Sequence, residues 1–444
     1  MKMLIKKSVK TVALFLMFML LLTSCSVRRG DKLEDVQINQ FFGNNMVLAR
    51  NKKVAVFGTG KDGTAVEVNF NGQTKNTVVE NGKWKLYLDE MEANTQGQNL
   101  YVHAGGKTQI ITNVLIGEVW FCSGQSNMFY PVKEYGNRMY EEFVPDADNP
   151  LIRVGSVQNM DWTVSALDNI KNQPAYSAAF SEQLQKLTGV PVGVIVRSVG
   201  GSSITYFLEG TPIYNTYIKP VMPFTFNGIL WYQGENDTTH TDTYLNYFKQ
   251  LTTTYRNGFE DPDMPFVATQ LANYSLAGIQ DRQWSDMRLV QLQCLDAVAN
   301  SYLVCQLEST RDAVKIHPDN KKSLGTRAAN LVCEKILGLK DIYGTSPRFE
   351  KAERTENGIL ITFLGVNTGL TLNSGEAVTE FRVCGEDKVF YDATAKVVSK
   401  NQVLVESENP AAIKGVSYCD VSVPYINMYD GENPVFNFQY YFED

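Results

Sequence analysis

Residues 117–128 read GEVWFCSGQSNM. The apolar run Val119-Trp120-Phe121-Cys122 stops at Ser123-Gly124-Gln125-Ser126-Asn127, a cluster of small polar residues. A short apolar run of this kind predicts a buried strand, and the glycine before the serine predicts a sharp turn. A hydroxyl at a strand-to-helix turn serves as an N-cap, a phosphate ligand or a nucleophile, and the rest of the chain has to decide which. Outward from this stretch, residues 113–342 repeat its pattern. The runs VWFCS, VGVIV, GILWYQ, FVATQL and SYLVCQL alternate with the helical patterns AFSEQLQKL, TYLNYFKQLTTTY, MRLVQLQCLDAVA and SLGTRAANLVCEKIL. That alternation predicts an α/β fold, a parallel sheet with helices on both faces. Ligands of such sheets bind beyond the carboxyl ends of the strands. SGQSN, RSVGGSS, QGEND and ESTRDAVKIHPDN each follow one of these strands, so four polar clusters on one rim predict a site.

The flanks differ in character. In residues 30–112 the short alternating runs KVAVFG, AVEVNF, TVVE and KWKLYL are separated by GKDG, NGQ and ENG, the signature of a small β-sandwich. Residues 345–444 return to strands such as GILITFL, TEFRVCG, KVFYDAT and QVLVES, which predicts a second β domain. The first 25 residues, MKMLIKKSVKTVALFLMFMLLLTSC, join a basic stretch to an apolar run of about 14 residues, a secretory h-region by length. A spanning helix wants ~20. Leu22-Thr23-Ser24-Cys25 resembles the lipobox of bacterial lipoproteins, which implies cleavage before Cys25, a lipid on its thiol and attachment to a membrane. The alternative is an ordinary signal peptide with a chance cysteine. The expected organisation is a leader over 1–24, a β-sandwich over 25–112, a catalytic α/β domain over 113–344 and a β domain over 345–444. An exported protein held at the periplasmic or cell surface follows.

Composition narrows the partners. The 444 residues are 44% hydrophobic and 11% aromatic, enough for substantial cores. The formal charge is −7, and four of the lysines lie in the leader, so the body carries 37 basic against 48 acidic residues, a net −11. Such a body does not hold nucleic acid through its phosphates, and no obligate protein partner is evident. Six cysteines follow Cys25, scattered without a CxxC, so a zinc cluster is not expected. Export permits disulfides; Cys294–Cys305 and Cys384–Cys419 are candidate pairs, with simple burial the alternative.

Histidine scarcity sharpens the chemistry, because only His103, His240 and His317 are present. His103 lies on a strand of the first β region. His240 stands where a helix begins, and an exposed first-turn position is its plain reading. His317, in KIHPDNKKSLGTRAA, falls between a strand and a helix on the expected rim. A serine nucleophile needs a base and donors for the oxyanion. Ser126 supplies its own N–H at a helix N-terminus, Gly200 or Gly201 a second by close backbone approach, and Asn236 a side-chain amide. His317 is then the base. No step requires a metal or an organic cofactor. GxSxG, a Walker lysine loop and HExxH are all missing from the sequence. For a glycosidase the local carboxylates are Glu118, Glu235, Asp237 and Glu308.

With these pieces placed, the chain resembles the sialate O-acetylesterase family of SGNH hydrolases. FFGNNMVLARNKKVAVFG is similar to the family's opening, GEVWFCSGQSNM to its nucleophile block and LTGVPVGVIVRSVGGSS to its glycine block. YNTYIKPVMPFTFNGILWYQGEND with PFVATQLANY resembles the asparagine block, and IHPDNKKSLGTRAANL the histidine block. The resemblance makes Ser126 the nucleophile, Gly200 and Asn236 oxyanion donors and His317 the general base. It places Gln125 and Glu235 in the pocket, with holding loops by hydrogen bonds as their alternative role. Three departures stand out. Lys315 occupies the position where the family commonly has an aspartate, leaving Asp312 or Glu308 to orient the imidazole, or a backbone carbonyl to hold a Ser–His dyad. Val199 replaces a usual tryptophan, and Arg197 a small polar residue; a pocket arginine would suit the carboxylate of sialic acid, whereas a surface arginine is the plainer reading. The segment from Gly201 to Tyr214 is short, where larger relatives carry an extra β module. The implied function is carbohydrate O-deacetylation through an acyl-enzyme, on O-acetylated sialic acid first and acetylated xylan second. The reading of another class is a glycan-binding lipoprotein whose catalysis has decayed. All of it requires Ser126 and His317 to meet in one crevice.

Overall fold

The computed structural model describes residues 32–155, 161–275, 281–308 and 314–443. The leader, Cys25 and Asp312 lie outside the described residues. Six α-helices are described: α1 (Ser126–Phe129), α2 (Gly136–Phe143), α3 (Ala175–Thr188), α4 (Thr241–Gly258), α5 (Gln283–Ala297) and α6 (Lys321–Lys335). None of them is long and apolar enough to cross a membrane. The strands of the central sheet, in chain order, are β1 (Lys107–Gly124), β2 (Asn149–Gly155), β3 (Thr163–Ser165), β4 (Val192–Ser198), β5 (Gly228–Tyr232), β6 (Phe266–Thr269) and β7 (Ser301–Val304). Their spatial order is β3-β2-β4-β1-β5-β6-β7. Neighbours run parallel except β3, which is antiparallel to β2.

Side chains assign the layers. On β1, Trp120 meets Phe180 of α3 with ring centres 5.3 Å apart, whereas Phe121 meets Tyr255 of α4 at 6.1 Å. On β5, Tyr232 meets Tyr176 of α3 and Trp231 meets Tyr255 of α4. Successive residues of a strand project to opposite faces, so α3 and α4 cover opposite faces of the sheet. The helix α6 packs beside α3, and α5 beside α4. Burial from both sides is why these strands are apolar without alternation.

At 18 residues β1 is long. Its first part pairs antiparallel with Asn94–Ala104 and parallel with Val47–Ala49; its last part lies between β4 and β5. The boundary expected between residues 112 and 113 therefore falls inside one continuous strand. The strands Val36–Ile38, Val54–Gly60 and Lys83–Leu88 form a separate antiparallel sheet, and its apolar residues join the same core as the central sheet. From Arg348 onward the chain builds two four-stranded sheets and one three-stranded sheet. The six described cysteines are free and buried. Cys294–Cys305 and Cys384–Cys419 are not bridged, and burial is their state.

Candidate active site

Three strands end in one row. Ser198 of β4 and Tyr232 of β5 both lie in register with Gly124 of β1. The turn after β1 is clamped between them: Gln125 N–H donates to the Tyr232 carbonyl at 2.9 Å, and Val199 N–H donates to the Gly124 carbonyl at 3.1 Å. Gly124 has φ +132, and a Cβ there would stand 2.1 Å from the Tyr232 oxygen. Only glycine fits. The tight turn presents Ser126 as the first residue of α1. A Cβ on Gly200, just beyond β4, would lie 3.7 Å from the Ser126 Cβ, so the Gly200 backbone runs beside the hydroxyl-bearing residue. Asn236 sits in the helical turn after β5, exposed, with its N–H 3.4 Å from Gln125 Oε1.

The fourth cluster has farther to travel. β7 is three strands from β1, about 14 Å at the usual spacing. Its loop returns across the rim on fixed points: Tyr232 donates its hydroxyl to Gln306 Oε1 at 2.5 Å, and Asn273 Nδ2 donates to the Leu307 carbonyl at 3.0 Å. Asn127 Nδ2 donates to the Ile316 carbonyl at 3.0 Å. The next residue is His317, and its Nε2 lies 2.9 Å from Ser126 Oγ. The imidazole stacks on Tyr130 with ring centres 4.1 Å apart and planes at 21°. Burial and the nearby Lys321 ammonium lower its pKa below the ordinary histidine value. It is a neutral base at neutral pH.

Beneath this pair lies a buried polar layer. Asn127 Nδ2 also donates to Glu235 Oε1 at 2.6 Å, while its Oδ1 accepts from Lys321 Nζ at 2.8 Å. Burial raises the pKa of Glu235, with Asn127 opposing. Gln125 Oε1 accepts from Gln233 Nε2 at 3.3 Å. Asp237 accepts from Gln233 Nε2 at 2.5 Å, the Ser203 hydroxyl at 2.6 Å and Ile204 N–H at 2.9 Å. Thus Gln125 and Glu235 are both buried loop-holding groups around the site.

The other candidates go elsewhere. Arg197 is not brought to this cluster: its Nε and Nη2 donate to the carbonyls of Tyr217 and Thr216 at 2.8 and 3.2 Å, and its guanidinium lies over the Phe41 and Tyr217 rings. Glu308 takes two bonds from Arg327 at 2.7 and 3.0 Å and one each from Asn320 and Ser323. Burial alone would raise its pKa, but these donors hold it below the usual value. Glu118 pairs with Arg50 at 2.7 Å. With Asp237 and Glu308 also engaged, no opposed carboxylate pair of the glycosidase kind emerges among the described residues. His240 is exposed and contacts only the adjacent Thr239 hydroxyl among its side-chain bonds here. His103 bonds to Asn69 and Thr108 in the first β region. No cluster of three metal-ligating side chains occurs among the described residues.

Sequence reasoning overlooked Asn127, Tyr130 and Lys321. Tyr130 lies four residues beyond Ser126, one helical turn on, and that spacing was its available signal; Lys321, the first residue of α6, had none.

Known proteins place this geometry. A family profile described as carbohydrate esterase, sialic acid-specific acetylesterase, matches residues 116–334. Sialate O-acetylesterases of Homo sapiens and Mus musculus are 24% and 23% identical to this chain, covering 70% and 72% of it and 73% and 77% of their own lengths. A crystal structure of a carbohydrate acetylesterase from Xanthomonas citri superposes with a TM-score of 0.82 at 26% identity, covering 91% of this chain and 99% of that one. With a serine and a histidine in contact on the rim inside the matched span, the chain is similar to the sialate O-acetylesterases and is a carbohydrate O-acetylesterase, a carboxylic ester hydrolase.

Proposed function

We propose that Ser126 is the nucleophile and His317 the general base of an SGNH-type hydrolase acting on O-acetylated sialic acid. The observation that carries this reading is the 2.9 Å contact between Ser126 Oγ and His317 Nε2, residues 191 apart in the chain. Ser126 Oγ attacks the acetyl carbonyl as Nε2 takes its proton. The N–H groups of Ser126 and Gly200 and the Asn236 amide meet the oxyanion; removing one such donor typically costs about 10²–10³ in rate. The tetrahedral intermediate breaks its bond to the sugar oxygen, which receives the proton from the imidazolium. Water, deprotonated by the same base, then attacks acetyl-Ser126; the intermediate breaks its bond to Ser126 Oγ, which takes the proton back from the imidazolium, and acetate leaves. For Nε2 to accept, the other ring proton must sit on Nδ1, and Asp312 is the carboxylate proposed to hold it there, Glu308 being committed to Arg327.

Sialic acid is favoured by the family profile and by the names of the relatives. Acetylated xylan is kept as the second substrate because Arg197 points its donors at backbone carbonyls, which removes one candidate ligand of a sialate carboxylate. Export and a lipid on Cys25 belong to the same proposal, on the leader sequence. Hydrolysis of an aryl acetate is expected in the wild type and a loss of about 10³-fold or more in Ser126→Ala. Equal turnover in both would overturn the assignment, and no turnover in either would favour the decayed, sugar-binding reading. Loss in His240→Ala but not in His317→Ala would overturn the base. Mass spectrometry of O-acetylated sialic acids against acetylated xylo-oligosaccharides separates the substrates.

A further inference from the structure

We propose that Lys321 is a positioning residue for hydrolysis: its buried side chain, acting through Asn127, locks the nucleophile turn to the histidine loop. The inference rests on the reading of Ser126 and His317 as the reacting pair. Asn127 is the joint. It follows Ser126 in the chain, and its single amide ties three segments: Nδ2 to Glu235 and to the Ile316 carbonyl, Oδ1 to Lys321. An amide of this kind has two ends, and its orientation depends on its partners. An ammonium has donors only. With Lys321 Nζ at 2.8 Å, the oxygen end must face α6, which aims the nitrogen end at the carbonyl one residue before His317. Lys321 thus decides how the imidazole loop is fastened beside the hydroxyl.

Nothing in local stability favours a lysine at this point. Lys321 is fully buried and is the first residue of α6, where the helix dipole opposes a positive charge. An apolar side chain of similar length would avoid both costs. Its surroundings are nonetheless built for a cation. The rings of Tyr232 and Tyr135 lie 4.8 and 5.9 Å from Nζ, and Glu235 and Asp319 are the acidic groups that favour its charged form. Burial outweighs them and pulls its pKa down to about 7. Residues that break local rules in this way concentrate at functional sites.

The same charge acts on the base. Among the described residues, the groups facing His317 are Lys321 from α6, the Tyr130 ring just after α1, and, across Asn127, Glu235 of the turn after β5. Asp319 and Lys315 lie on its own loop. Removing the ammonium removes a repulsion from the imidazolium, so the imidazole pKa must rise.

The test compares the mature wild-type protein with Lys321→Met, Asn127→Ser and Ser126→Ala on an aryl acetate across pH. Lys321→Met is expected to lower kcat by about 10²-fold with KM within about threefold. Its acid limb of kcat/KM should move to higher pH by about half a unit or more. Asn127→Ser, which keeps the charge, should lose kcat comparably with the limb in place. A folded Lys321→Met with kcat within about threefold of wild type and an unmoved limb would overturn the proposal. Should Lys321→Met not fold, near-normal kcat in Asn127→Ser overturns it alone. Full activity in Ser126→Ala would instead bring down the underlying site reading, so the two failures are distinguishable.

Discussion

In the proposed reaction the proton of Ser126 passes to an imidazole that must not already be charged. His317 is partly buried and repelled by Lys321, which together lower its pKa. The fraction of competent base therefore grows as pH rises through that lowered value and is lost below it. The expected result is an acid limb of kcat/KM with its midpoint below about 6.5, the unperturbed histidine value; a midpoint above 7 would contradict the environment described here. At residue scale the sequence was legible where residue types are rare. With three histidines in the chain, only one of them between a strand and a helix on the rim, His317 could be singled out as the partner of Ser126, and the two are in contact. Lysine and asparagine are common and mostly solvated, so Lys321 and Asn127 carried no such mark. Arg197 shows the converse. An unusual residue beside the glycine block invited a ligand role, yet its guanidinium satisfies two carbonyls between aromatic rings, a packing task visible only in three dimensions.

At the scale of elements, two glycines of the rim make opposite demands. Gly124 adopts a conformation that L side chains avoid, and a Cβ there would collide with the Tyr232 carbonyl. Gly124→Ala is expected to destabilise the full chain by roughly 2–4 kcal/mol, read as a lowered urea midpoint. A Cβ on Gly200 meets only ordinary contacts of 3.6 Å and longer, one of them with Ser126. Gly200→Ala should therefore keep stability within about 0.5 kcal/mol while the methyl, crowding the acyl position, lowers kcat/KM by about 10-fold or more. A destabilised Gly200→Ala with full activity would show that this backbone does not border the reacting atoms. β1 runs through the position of the expected boundary. Its burial switches from partial over residues 107–113 to complete over 114–124, as the strand passes from a sheet open to solvent on one side into the centre of a covered one. The change in hydrophobic pattern coincides with this switch in burial. It marks a change of surroundings along one strand and leaves the backbone unbroken.

For the whole molecule, the question is whether the C-terminal strands form a removable unit, as a sugar-binding module would. The change of element type near residue 345 suggested a boundary, and the contacts across it argue for a shared interior. Arg288 of α5 is fully buried, and its guanidinium donates to the carbonyls of Ala272, Val421 and Ser422. Burial lowers its pKa to about 10, so it stays charged at neutral pH and depends on those carbonyls. Gln270 Nε2 donates to Asn437 Oδ1 at 3.0 Å, and Asn273 Nδ2 reaches both the Pro424 carbonyl, at 3.2 Å, and the Leu307 carbonyl of the histidine loop. The C-terminal region thereby helps to fix the loop that carries His317. Ending the chain at residue 344 would strand a buried cation and several buried polar groups, each worth about 1–3 kcal/mol, and would remove Val416, Tyr418 and Phe438 from the apolar core they share with the central sheet. A chain spanning 25–344 is expected to be insoluble or, if recovered, to have lost the cooperative unfolding of the full protein and most of its hydrolysis of an aryl acetate. Wild-type kcat in that fragment would show that the contacts around Arg288 and Asn273 hold nothing the site needs, and that the last hundred residues work on their own.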